Sequence, residues 1–173
     1  DIAWHTRHLS RHVGQGKPVV RARRSLAGEG LQVLVYAPDQ PDLFARICGY
    51  FDRAGFSILD ARVHTANNGY ALDTFQAIAP TMQEQSRELM HMVEHDLTLT
   101  LLKGGPLSPP TKRRLSRRVK SFPFAPRVIL RPDEKAQHWL LSISASDRAG
   151  LLYIIARILA QHHISVQLAK IST

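Results

Sequence analysis

The chain has 173 residues, a hydrophobic fraction of 44% and a formal net charge of +9. That apolar content suits small packed cores and argues against disorder throughout, while the longest apolar runs fall short of the roughly 18 residues that span a bilayer. With Cys48 as the single cysteine, an internal disulfide is excluded, and the expectation is a soluble cytoplasmic protein in which Cys48 is a small buried hydrophobe.

The charge is unevenly distributed: +4 over residues 1–30, −5 over 31–102, +8 over 103–135 and +2 over 136–173. The chain opens on Asp1 and not on methionine, without a secretory pattern, and reads as a piece of something longer. Residues 1–13 suit a short lead-in helix with Ile2, Leu9 and Val13 on one side, ended by Gly14 and Gly16. His5, His8 and His12 fall near one face of it, but no acidic or cysteine partner accompanies them, so no metal is expected. The basic, valine-containing stretch 18–24 suits an edge strand.

Leu31, Val33 and Val35 alternate with Gln32, Leu34 and Tyr36, the pattern of a strand with one face in a core. Pro41 suits a first helical position, and Leu43, Ile47, Phe51 and Ala54 follow at helical spacing. Gly55 stops this helix, and the run 56–63 reads as a returning strand. Asn67-Asn68-Gly69 supplies a hairpin turn between 56–65 and 70–78. Thr81 and Glu84 have capping-box spacing before a second amphipathic helix through Leu89, Val93 and Leu97. His91, Glu94 and His95 fit the H-x-x-E-H zinc pattern; with no third ligand signposted downstream, they read as a solvated helix face.

A Gly/Pro/Ser-rich connector begins at Gly104 and carries KRRLSRRVK at 112–120. With no aromatic interleaving beyond Phe122 and Phe124 and no groove-reading helix, it reads as a solvated linker or a contact to an acidic neighbour, and nucleic acid is not an expected partner. Arg127, Val128, Ile129 and Leu130, between Pro126 and Pro132, are assigned as the closing edge strand of the first unit. Residues 139–173 then repeat 31–65 at an offset of 108 without a gap. Asp39, Leu43, Ser57, Ala61 and Thr65 match Asp147, Leu151, Ser165, Ala169 and Thr173, and apolar positions fall on apolar positions between them. A register held this well implies two copies of one fold, the second supplying only half a module.

DQPDLFAR at 39–46, GYALDTF at 69–75, a Pro126-Arg127-Val128 strand and a second Asp-x-x-Gly-Leu-Leu at 147–152 resemble the ACT domain, a small βαββαβ module that binds amino acids. The motif order is similar to the carboxyl-terminal tandem ACT region of bifunctional uridylyltransferase/uridylyl-removing enzymes, which modify the nitrogen-regulatory PII signal protein. Residues 2–6 resemble the segment leading into those domains. The resemblance implies an α+β fold of tandem ferredoxin-like modules: a lead-in helix and connector at 1–30, a first ACT domain at 31–132 with a basic insertion at 103–122, and the first half of a second at 137–173. It also implies glutamine as ligand and PII as a partner of the whole enzyme. Catalysis, with its Mg, belongs to upstream domains, and a homodimer is a further expectation.

The sequence carries no P-loop, Gly-x-Gly-x-x-Gly, serine elbow or Asp-x-Asp pair, which points away from catalysis in this stretch. The candidate site is the loop before each first helix, where unpaired helix N–H groups suit a carboxylate and an aspartate suits an α-ammonium. The candidate residues are Asp39, Gln40, Pro41, Asp42 and Leu43 in copy one and Asp147, Arg148, Ala149, Gly150 and Leu151 in copy two. Family members carry Pro and then Gly in this loop; copy one keeps Pro41 with Asp42 in the Gly position, and copy two keeps Gly150 with Ala149 in the Pro position. Copy two is therefore the expected stronger site. The competing readings are that both aspartates merely cap helices, that the region is a ligand-free pairing module, or that it is a basic RNA-binding module.

Overall fold

The structure, a computed structural model, describes residues 4, 7, 15–26, 30–79, 87–111, 125–135 and 137–172. The lead-in helix with its histidines, the Thr81–Glu84 capping box and the basic run 112–120 lie outside the described residues. No helix among the described residues is long and apolar enough to cross a membrane.

In chain order the elements are β1 (Val19–Arg24), β2 (Leu31–Pro38), α1 (Leu43–Ala54), β3 (Ser57–His64), β4 (Tyr70–Ile78), α2 (Arg87–Lys103), β5 (Arg127–Pro132), β6 (Trp139–Ser144), α3 (Leu151–Gln161) and β7 (Leu168–Ser172). Five strands form an antiparallel sheet in the order β1-β2-β4-β3-β7, and β5 and β6 form a separate pair. The α+β, ferredoxin-like arrangement expected from the sequence is present, and the stretch 18–24 is an edge strand as expected.

One strand assignment is corrected. The edge assigned to Arg127, Val128, Ile129 and Leu130 is held by β1, while those four residues form β5 and pair with β6. Under the offset of 108, β5 is the counterpart of β1. The two hairpins share one register: Val19 faces Tyr36 as Arg127 faces Ser144, and Arg24 faces Leu31 as Pro132 faces Trp139. Each repeat therefore begins with a hairpin, and the strand that closes the sheet comes first in the chain. The physical reason is local: β1 precedes β2 by a short turn and docks on it without a long loop to close, whereas β5 is separated from the first sheet by the connector.

β2 is buried on both faces, not one. Leu31, Val33 and Val35 face the helices, and Leu34 on the opposite pleat is 0% exposed. On that opposite face Tyr36 stacks on Tyr70, the Arg23 guanidinium lies 4.1 Å over the Trp4 ring, and Gly16 N–H donates to Tyr70 Oη at 3.1 Å. The helix face holds the core of Ile47, Phe51, Phe75, Val93 and Leu97. α2 is fixed to the edge strand by Glu94, whose Oε1 accepts the Ala22 N–H at 2.8 Å. That bond gives the carboxylate of the H-x-x-E-H pattern a structural task, and no group of metal ligands occurs among the described residues.

The copies meet along β3 and β7. Their ladder pairs Asp60 with Ser172, Arg62 with Lys170 and His64 with Leu168. Lys170 is the counterpart of Arg62, so the ladder is centred on equivalent residues and the copies are related by an approximate two-fold rotation. α1 packs on α3 across the same axis, which explains why α1 is buried nearly all round, including Cys48 and Gly49. Gly49 is where the helices come closest: a Cβ there would lie 2.8 Å from the Tyr153 ring.

Copy two is incomplete. The counterparts of β4 and α2 would fall at numbers above 173, and Trp139, Leu140, Leu141 and Ile143 are exposed where their counterparts in β2 are buried or half-buried. The helix ends are equivalent, since Gly55 (φ 87°) corresponds to His163 (φ 56°) and both are left-handed. A histidine there carries a backbone cost that glycine does not.

His163→Gly is accordingly expected to stabilise the chain, by up to about 1 kcal/mol in urea melts. Gly49→Val should destabilise it by roughly 1–3 kcal/mol through overpacking. The same substitution should cost clearly less beside Tyr153→Ala; equal costs in both backgrounds would show that the Tyr153 ring is not the obstacle.

Candidate functional site

The two loops before α1 and α3 share one backbone turn. Leu43 N–H donates to Gln40 O at 3.0 Å and Arg46 N–H to Asp42 O at 2.9 Å; the equivalent bonds run from Leu151 to Arg148 at 3.1 Å and from Ile154 to Gly150 at 3.0 Å. α1 begins at Leu43, so Pro41 and Asp42 lie in the turn ahead of it and Pro41 is not at a first helical position. Neither Asp42 nor Gly150, the residues at the two N-caps, makes a side-chain cap. The Asp42 carboxylate instead pairs with Arg46 one turn along, and Arg46 also donates to Gly105 O.

A cleft opens at copy one's loop and is walled by both copies. Asp39, Gln40, Pro41 and Leu43 line it together with Phe44 and Ala45 of α1, Val63 of β3, Thr65 just after β3, and Ala71 and Asp73 of β4. The opposite wall is copy two: Ala156, Leu159 and Ala160 of α3 and residues 164–166. The enclosed volume is about 10 Å³, room for about one water. No lysine, arginine or histidine lines the cleft among the described residues.

The loop of copy two does not line it. Asp147, Arg148 and Ala149 are exposed in their turn, and the position symmetry-related to the cleft is filled. Where the cleft has Ala160 and Ala45, the counterparts are Asp52 and Tyr153. Both are tied to the connector, in which Leu107, Ser108, Pro110 and Thr111 are half-buried and Gly104, Gly105, Pro106 and Pro109 are exposed: Thr111 donates to Asp52 through its N–H at 2.8 Å and its Oγ1 at 2.7 Å, and Tyr153 Oη donates to Ser108 O. Gly150 is left-handed (φ 79°), and a Cβ on it would lie 2.9 Å from Asp52 Oδ1. A side chain at Gly150 would therefore strain the fold before it met any ligand.

The sequence reading did not single out Asp73 or Thr65. Alternation along β4 points Ala71, Asp73, Phe75 and Ala77 towards the helices, so Asp73 is a carboxyl on an otherwise apolar face, 1% exposed. A charged residue at inward parity was the available signal. Its Oδ1 accepts the His64 N–H at 3.3 Å, and the Thr65 Oγ1 is buried without a hydrogen-bond partner among the described residues. Burial pushes the Asp73 carboxyl up to about 7; the His64 N–H opposes this and the charge of Asp39 adds to it. The wall contributed by copy two had no sequence signal, because it depends on how the repeats pair.

Chains similar over the full 173 residues are bifunctional uridylyltransferase/uridylyl-removing enzymes of Cupriavidus metallidurans (57% identical, matching 20% of that enzyme) and Cupriavidus pinatubonensis (56%, 20%). The enzyme of Ralstonia nicotianae is 54% identical, with 21% of its length matched. Over its whole length the chain is thus similar to one segment of these enzymes. It spans about a fifth of the length of these relatives. No protein-family model and no solved structure matches. The segment matched in these relatives corresponds here to a two-copy fold with a cleft at the junction of the copies.

A buried acid that holds its proton in the folded state and loses it when unfolded makes stability fall as pH rises. For Asp73 the fall begins near the ordinary value of 3.8 and is complete above about 7. Its full extent is on the order of 4 kcal/mol. Thermal melts of Asp73→Asn should lack this loss between pH 4 and 7; a parent-like pH profile would show that Asp73 is ionised throughout.

Proposed function

We propose that this chain is the amino-acid-sensing region of a bifunctional PII uridylyltransferase/uridylyl-removing enzyme, and that its ligand is glutamine. The observation carrying this reading is the cleft, where the N-terminus of α1 without a side-chain cap and the Asp39 carboxylate lie on one side and copy two on the other. The helix N–H groups suit an α-carboxylate and Asp39 suits an α-ammonium. The catalytic domains, their Mg and the PII substrate belong to the rest of the enzyme.

Because the cleft as it stands admits about one water, an amino acid enters only if copy two moves away from the loop of copy one. Binding then favours one arrangement of the two copies over another, which is the differential affinity that regulation of distant catalytic domains requires. The same narrowness favours a rival reading, a pairing module without a ligand.

Calorimetry on the full-length protein with the twenty amino acids decides between them. Glutamine should bind, and Asp39→Ala should lower its affinity roughly ten- to hundred-fold. Heat from no amino acid would establish the pairing module, and unchanged affinity in Asp39→Ala would move the site elsewhere.

A further inference from the structure

The cleft has a deep end that the backbone-recognising groups do not use. Asp73 and Thr65 face it from adjacent strands, and both carry polar atoms that the fold leaves under-satisfied: the Thr65 Oγ1 has no partner among the described residues, and Asp73 accepts one long bond from His64 N–H. A buried polar group without good partners costs free energy, so its persistence beside a cleft calls for a ligand group that completes it.

We propose that Asp73 and Thr65 are the specificity-determining end of the cleft, where the Asp73 carboxyl and the Thr65 hydroxyl take the uncharged carboxamide of a glutamine-like side chain and turn away a carboxylate. This rests on the reading of the cleft as an amino-acid site. With Asp39 at the mouth and no cationic side chain lining the walls, an acidic ligand side chain would enter a cleft that offers it no counter-charge. A carboxamide needs none: its oxygen accepts from the Asp73 O–H, and its NH2 donates to the second Asp73 oxygen or to Thr65.

The groups facing Asp73 favour the protonated form. Asp39 from the loop raises its pKa, the Cys48 thiol of α1 is itself pushed well up by burial and stays neutral, and β3 contributes only the His64 N–H in opposition. Copy two brings only apolar and hydroxyl side chains to this wall. With the carboxyl at about 7 in the empty cleft, glutamine affinity is expected to be level below that pH. Above it the affinity should fall, approaching tenfold per pH unit, because binding requires the proton.

The test is calorimetry on the full-length protein between pH 6 and 9 with glutamine and glutamate, for the parent, Asp73→Asn, Asp73→Leu and Thr65→Val, each checked by thermal melting. Asp73→Asn, which mimics the protonated acid, should keep glutamine affinity within a few-fold at pH 6 and lose the slope above pH 7. Asp73→Leu should lose tenfold or more, Thr65→Val several-fold, and the parent should favour glutamine over glutamate. A slope that survives Asp73→Asn, or parent-like affinity and selectivity in Asp73→Leu, would overturn the assignment of Asp73. If those results came with binding that still depends on Asp39, the amino-acid site would stand and only its deep end would be misassigned. No binding by the parent at any pH would remove both.

Discussion

The organisation of the chain depends on one edge-to-edge contact, the antiparallel pairing of β3 with β7. That ladder gives each strand a hydrogen-bonded neighbour where it would otherwise present an open edge. Its centring on Arg62 and Lys170 fixes the relation between the copies as a two-fold rotation. Once that axis is set, α1 and α3 must cross it side by side, and the closeness of their approach rests on Gly49 lying under the Tyr153 ring. The cleft is a consequence of the same geometry: it forms where the loop before one helix faces the end of the other.

Two symmetry-related positions are thereby created, and the sequence treats them differently. At one, alanines at 45 and 160 leave space; at the other, Tyr153 and Asp52 fill it and the connector binds both. The difference comes from a few side-chain volumes and not from the backbone, since both loops make the same turn. In the open position the buried face of β4 carries Asp73, whose carboxyl burial pushes up to about 7. Such a residue on a face otherwise built from Ala71, Phe75 and Ala77 is easier to understand as part of a site than as part of a core.

Much of the fold was legible from local pattern, and the repeat supplied a second reading of β2, α1 and β3. β4 matches the stretch read from Tyr70 to Ile78, Gly55 ends its helix in the left-handed conformation, and the hairpin at Asn67-Asn68-Gly69 is where turn chemistry puts it. The order of edge strands was misread because Val19–Arg24 and Arg127–Pro132 are both short and bracketed by breakers, and local sequence does not say which hairpin partner each will find. The offset of 108 that relates Leu31 to Trp139 also relates Val19 to Arg127, and so aligns the two hairpins. His163 shows the opposite limit, a left-handed helix end that its residue type does not announce. Of the site, the loops were legible from their motif, whereas Asp73, Thr65 and the α3 wall depend on pleat direction and on contacts between residues about a hundred positions apart.

Because both partners of the β3–β7 ladder lie in one polypeptide, their association is first order. The effective concentration of one copy around the other is set by the length of the connector and not by the amount of protein present. Two separate single-copy modules would pair and part by mass action, and a cleft built between them would appear and vanish with dilution. Here the junction, and anything it binds, should be independent of protein concentration.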